Sequence, residues 1–183
     1  MLYNIKSFWK SDVMEKEYWD LYDENRNVTG KTIVRGEVIP EGFYHLVVHV
    51  WIRNKDGLFL ISRRSPDRKA YPLLLECQGG SVLAGETSVE GAIREAFEEV
   101  GIDLTNIKGK LIFQKMRPHF RDMMDTWLFE YDGEVDLNKA TTKEVCEVMW
   151  MKYDDIKEKL VTGELVPTLD YFFDIDKETL GVK

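Results

Sequence analysis

A chain of 183 residues is long enough for one domain with a real core and an appended segment, and too short for two full domains. Its net charge of −8 excludes a protein whose main task is to coat bulk nucleic acid, because phosphate-backbone binding relies on a basic face. Cys77 and Cys146 are the only cysteines, too few for a disulfide framework and not spaced as a zinc site, which points to a reducing cytoplasm.

In chain order, residues 1–15 read as a short amphipathic helix with Ile5, Phe8 and Trp9 on its apolar side. Residues 17–35 (EYWDLYDENRNVTGKTIVR) read as a hairpin whose turn runs from Asp23 to Gly30. Together residues 1–42 form an N-terminal extension expected to pack on a main domain spanning 43–183. Its aromatic residues suit either a homodimer contact or a cover for the domain's own core. No charged-then-apolar leader pattern is evident, and runs such as Leu46 to Ile52 are far too short to cross a membrane.

From Phe43 the pattern changes. YHLVVHVWI is an apolar, β-rich run of the kind buried on both faces, and GLFLISRRS repeats it after a turn at Asn54 to Gly57. LLLECQGG then leads toward a helix. Strands are expected again at 110–117, 126–132 and 148–153, followed by a helix from Asp154 and another after Pro167. Strands surrounding one helix with further helices late in the chain predict an α/β/α sandwich around a mixed sheet rather than a doubly wound parallel sheet.

Residues 80–102 (GSVLAGETSVEGAIREAFEEVGI) carry the chemistry. Thr87 and Glu90 have capping-box spacing, and Gly101 stands where a left-handed stop belongs. Val89, Ala92, Ile93, Ala96, Phe97 and Val100 mark one apolar helix face, with Glu95, Glu98 and Glu99 on the opposite flank. At roughly 100° per residue the three glutamates span an arc of about 100°, so their oxygens can converge on one point. Such crowding costs stability unless a cation sits there, and a hard divalent ion is the natural candidate: Mg²⁺, or Mn²⁺. Arg94 beside the cluster is a possible counter-charge.

Gly80, Glu86, Arg94-Glu95, Ala96, Glu98-Glu99, Gly101 and Ile102 fill every defined position of the pattern G-x5-E-x7-R-E-U-x-E-E-x-G-U, with U aliphatic or small, and the stretch resembles the Nudix box. The resemblance implies a loop-helix-loop cradle in an α/β/α fold and hydrolysis of a small-molecule diphosphate joined to another moiety, a nucleoside diphosphate among the candidates. It also implies that Glu95, Glu98 and Glu99 hold magnesium together with the carbonyl of Gly79, and that Arg94 and Glu86 form an ion pair fixing the loop. Glu98, Glu144 or Glu147 would be the general base. Glu144, six residues before Trp150, is the candidate outside the box, and Arg63 stands where such enzymes often keep a phosphate-contacting arginine. Arg64, Arg68 and Lys69 extend it into a basic rim. The loops 64–72 and 116–125, the second carrying His119, are expected to choose the leaving group.

The hairpin followed by YHLVVHVWI makes residues 17–170 similar to the subgroup of Nudix proteins resembling isopentenyl-diphosphate isomerase. The departures from that isomerase concern its chemistry. Its cysteine directly precedes a Gly-His pair that supplies a metal ligand, whereas here the stretch is Gln78-Gly79-Gly80, with Cys77 one place early. A second metal-site histidine is replaced by Val38. His45 and His49 read as strand histidines satisfied by packing, and Cys77 as a buried thiol. Isomerase activity and a non-catalytic nucleotide-sensing module stay as alternatives, the latter weakened by the intact glutamate set.

Overall fold

The structure, a computed structural model, describes residues 16–182. The helix expected over residues 1–15 lies outside them. β1 (Tyr18–Tyr22) and β2 (Val28–Val34) form the antiparallel N-terminal hairpin. β3 (His45–Arg53), β4 (Phe59–Arg64), β5 (Leu75–Glu76), β6 (Gln78–Ser81), β7 (Lys110–Arg117), β8 (Asp122–Glu130) and β9 (Val145–Met151) build one seven-stranded sheet. β3 and β8 run parallel over nine paired residues while the other pairs are antiparallel, so the sheet is mixed.

Strand alternation divides the core into two layers. Val48, Val50 and Ile52 of β3, with Leu60, Met123 and Phe129, pack under α1 (Ser88–Val100) through Ala92, Ala96 and Val100. Val47 and Trp51, with Phe59, Ile61 and Met124, pack on the other face against α2 (Tyr153–Val161) and the 3-10 segment Pro167–Asp174. That segment replaces the helix expected after Pro167, and a short α3 (Lys177–Leu180) follows. Trp51 and Phe172 stack with ring centroids 3.6 Å apart, a geometry that adds to the area each ring buries.

α1 begins and ends where the sequence predicts. The Thr87 hydroxyl accepts from the Glu90 backbone N–H, the Glu90 carboxylate accepts from the Thr87 N–H at 2.7 Å, and Gly101 turns left-handed at φ 70° with its N–H donating to the Phe97 carbonyl. Its buried face differs from the expected stripe. Phe97 is 40% exposed, whereas Glu99 is 4% exposed and lies against the sheet. The apolar face is narrower than the sequence pattern, and one edge of the helix is given to a carboxylate.

The hairpin is tied to the box loop by backbone and side chain. Ala84 N–H donates to the Tyr18 carbonyl at 2.7 Å, and Gly85 N–H to the Asp20 carboxylate at 2.8 Å. Arg26 pairs with Asp125, which also accepts from Ser88 at the start of α1. Tyr22 bridges to Tyr44 beside β3.

Candidate active site

β6 and α1 meet at glycine. A side chain on Gly79 would overlap the Val48 carbonyl of β3, and one on Gly80 would overlap the carboxylate of Glu95. The bare Gly79 lets β6 close on the β3 backbone, and the bare Gly80 lets the Glu95 carboxylate sit directly on β6. Glu99 accepts the Gly79 N–H at 3.0 Å. Arg94 clamps the other side. Its guanidinium donates to both oxygens of Glu86 at 2.8 and 3.1 Å, to Glu95 at 2.8 Å, to Glu98 at 2.9 Å and to the Ser81 carbonyl at 2.8 Å. Glu86 in turn accepts the Leu83 N–H at 2.9 Å, closing the loop.

Glu95, Glu98 and Glu99 share a cleft of about 130 Å³ with Gly79, Gly80 and Glu144. Arg94, Ser81, Arg68, Arg35, Glu17 and Thr142 complete its wall. Glu144 pairs with Arg68, and Arg35 with Glu17 at 2.6 Å. The segment leading to Glu144 is held to α1, since Thr141 N–H, Thr142 N–H and the Thr142 hydroxyl all donate to the Glu98 carbonyl at 3.0 Å.

Electrostatics mark the cleft as deficient in positive charge. Burial raises the Glu95 carboxyl to about 7 despite Arg94, with Glu98 and Glu144 pushing the same way. Burial, then the neighbouring Glu76 and Glu95, lifts Glu99 well above the usual carboxylate range. Glu76 is also raised by burial, against the pull of Arg64, with which it pairs. Arg94 is held above its ordinary value: burial opposes its charge, but the Glu86 and Glu95 carboxylates outweigh that.

A divalent cation fits this donor set chemically. It would supply the counter-charge that the buried carboxylates lack, through the oxygen ligands hard ions prefer. Gln78, on the α1 face of β6 by strand alternation, has both amide atoms buried without a partner, so polar capacity beside Glu99 is unmet. As the side chains stand, no three acidic, histidine or cysteine groups among the described residues converge at ligand range. Arg94 holds both Glu95 and Glu98 in this arrangement, at 2.8 and 2.9 Å.

The structure does not bring Arg63 to this cleft. It follows Phe59 and Ile61 on the opposite face of β4, donates to Glu147 at 2.7 Å and to the Leu73 carbonyl at 3.0 Å, and is thereby occupied. Arg68, from the same basic run, lines the acidic cleft instead, and Arg64 reaches the half-buried Glu76. The competing carboxylates separate in the same way: Glu144 lies in the cleft and Glu147 on the far face with Arg63. Sequence reasoning missed Glu17, Arg35, Thr142 and Glu76. None of the four belongs to the box pattern, and each reaches the carboxylates through contacts between distant parts of the chain.

His45, His49 and Cys77 lie in packed surroundings, with the His45 Nδ1 buried and without a hydrogen-bond partner. His45 stacks on Trp19 at 4.2 Å and burial lowers its pKa. His49 is buried beside the Tyr171 hydroxyl at 2.8 Å, and burial lowers it to about 3. Cys77 lies in the layer opposite α1, and burial pushes its thiol well up, which leaves it a poor nucleophile.

The model of the NUDIX domain matches residues 43–172. This chain belongs to the Nudix family. It is 38% identical over 161 residues to an uncharacterised Nudix hydrolase of Listeria innocua, covering 86% of this chain and 90% of that protein. A crystal structure from Deinococcus radiodurans superposes with a TM-score of 0.66 at 25% identity, over 82% of this chain and 92% of the other. The likeness to isopentenyl-diphosphate isomerase is narrower: 34% identity to the Salmonella heidelberg enzyme over 77 residues, 42% of this chain and 39% of that one. The chain is thus a Nudix hydrolase with the mixed α/β Nudix fold and an N-terminal hairpin; hydrolases of this family act on small molecules and generally use a divalent metal. Among the described residues, no helix is long and apolar enough to cross a membrane.

Proposed function

We propose that this Nudix hydrolase is a magnesium-dependent pyrophosphohydrolase, cleaving a diphosphate ester of the nucleoside-diphosphate type or a related small molecule by attack of water on phosphorus. The observation that carries the reading is the gathering of Glu95, Glu98, Glu99 and Glu144 in one cleft beside Gly79 and Gly80. When bound there, a divalent cation neutralises diphosphate charge and acidifies water. Glu95, Glu98 and Glu99 are the side chains to hold it, with the Gly79 carbonyl as a backbone ligand. Arg94 keeps Glu95 ordered between the loop and the helix while Glu86 anchors the loop.

Glu144 faces the box carboxylates from the segment that leads into β9, which suits it to accept a proton from the attacking water and to orient it. Its partner Arg68, with Arg35, supplies the cationic side of the cleft, and both can exchange a carboxylate for a phosphate oxygen. The isomerase reading lacks its reactive groups, since Cys77 is buried in the opposite core layer and Gly80 stands where that enzyme has a metal-binding histidine.

The test is product release from a panel of nucleoside-diphosphate derivatives and simple diphosphate esters, with magnesium and with EDTA. Magnesium-dependent release of a monophosphate is expected. Release that persists undiminished in EDTA contradicts the metal assignment, and no release from any panel member contradicts the hydrolytic one.

A further inference from the structure

Two cavities meet at β6. The acidic cleft shares Gly79, Gly80 and Ser81 with a second cavity of about 160 Å³, which opens in the other layer between β3, β6 and the start of the 3-10 segment at Pro167. That volume is too small for a whole small-molecule substrate, and its place against the box backbone suits one part of a larger one.

His49 lines this second cavity, and packing does not close over its ring. The residue paired with it across the strands is Gly79, which puts no side chain over the imidazole. His49 keeps some exposure, unlike His45, whose Nδ1 is buried without a partner.

One ring nitrogen of His49 is committed. Its Nδ1 lies 2.8 Å from the Tyr171 hydroxyl, which Trp51 Nε1 approaches at 3.1 Å. An indole nitrogen can only donate, so the hydroxyl accepts from Trp51 and has its own proton to place. Thr126, beside His49 on β8, has its buried Oγ1 outside hydrogen-bond geometry. His49 Nδ1 is therefore the acceptor. An N–H there would meet the hydroxyl as a second donor and leave the phenolic proton buried without a partner. With Nδ1 accepting, the imidazole carries its proton on Nε2. Among the described residues Nε2 has neither a partner nor a buried position, so it meets the cavity.

We propose that His49 binds the substrate: its Nε2–H donates to a phosphate oxygen of the diphosphate where the molecule leaves the carboxylate cleft past Gly79–Ser81, and Tyr171 is the positioning residue that fixes the imidazole in this tautomer. The proposal rests on the hydrolytic reading above for its ligand, while the tautomer stands on the hydrogen bonds alone.

The other polar groups of the cavity fit an anion. Arg117 lines it and uses Nε and Nη2 to hold Asp122 at 2.7 and 2.8 Å, which leaves Nη1 for a ligand. Ser81 and Thr168 add hydroxyls, and Glu76, an acidic member of the lining, is paired with Arg64. Tyr171 is itself immobilised, 1% exposed and stacked on Phe113 with centroids 5.2 Å apart. A donor aimed in advance by such a fixed partner needs no reorganisation when phosphate charge arrives.

The full chain, isotope-labelled at histidine, is to be followed by imidazole NMR with inorganic pyrophosphate and magnesium as the probe. The chain has three histidines, and His49→Gln identifies the signal. Before the probe is added, the His49 ring should carry its proton on Nε2. In Tyr171→Phe, which keeps the ring that stacks on Phe113, an Nδ1-protonated population should appear. Pyrophosphate should shift the Nε2–H signal of the wild type. His49→Phe should weaken pyrophosphate binding about tenfold, the scale of one lost bond to a charged group, and His49→Gln, whose amide can donate from the same place, should recover most of that loss. Native amide spectra for the variants separate a lost bond from a lost fold. A proton on Nδ1 in the wild type, an unchanged tautomer in Tyr171→Phe, an unmoved Nε2–H, or wild-type affinity in folded His49→Phe overturns the proposal. Because the readout requires no turnover, pyrophosphate shifts at the box amides without any at His49 would sink the His49 contact alone, and His49 shifts in a chain that hydrolyses no member of the diphosphate panel would sink the hydrolytic reading alone.

Discussion

At the scale of single residues, the placement of Glu144 in the cleft and of Glu147 on the far face of β9 turns into a direct comparison. Glu144→Gln should lower kcat by roughly 10²-fold or more, the loss expected when a group acting on the reacting water is removed. Glu147→Gln should stay near wild type. Comparable losses, or the reverse order, would remove Glu144 from the chemistry. The same logic separates the arginines: Arg68→Ala should raise KM about tenfold through a lost charge-assisted bond, and Arg63→Ala should leave steady-state kinetics little changed. The box glutamates were legible in the sequence because one helix fixes their relative directions. Arg63 was not, although the parity of Phe59, Ile61 and Arg63 already put all three on one face of β4. The burial of Glu99 was invisible because it depends on Gly79 of a separate strand approaching the helix.

At the scale of elements, α1 has to hold three carboxylates in register. Its ends were fully written in the sequence, since a capping box and a left-handed glycine are local devices. Thr87→Ala should cost about 1 kcal/mol of stability through the lost cap, read as a lower midpoint in urea, with turnover per folded molecule little affected. A variant as stable as wild type would mean that tertiary packing alone sets the helix start. Gly80→Ala acts differently, because its methyl would occupy the space of the Glu95 carboxylate. Its fold should survive while activity falls severely, and preserved activity would show that Glu95 can relocate without consequence. The hairpin was read correctly as an element, but its delivery of Glu17 and Arg35 to the cleft was not, because that contact joins parts of the chain far apart in sequence.

At the scale of the whole molecule, the site stores unfavourable charge in the absence of metal. Glu95 carries a folded pKa of about 7 against an ordinary 4.5. The folded state therefore binds more protons than the unfolded one in that interval, and this contribution to stability is lost as pH rises from 4.5 toward 7. In EDTA, Tm of the wild type should fall over that interval relative to Glu95→Gln, which cannot titrate there; parallel curves would contradict the raised pKa. Magnesium should raise Tm by mass action, more so at the upper end, where the carboxylates are ionised. The central claim is that the box carboxylates hold the metal that hydrolysis requires, and turnover of Glu98→Gln and Glu99→Gln at saturating magnesium and substrate tests it most directly. The account predicts a loss of roughly 10²-fold or more in both, with native spectra retained, whereas near-normal turnover in both folded variants would contradict it.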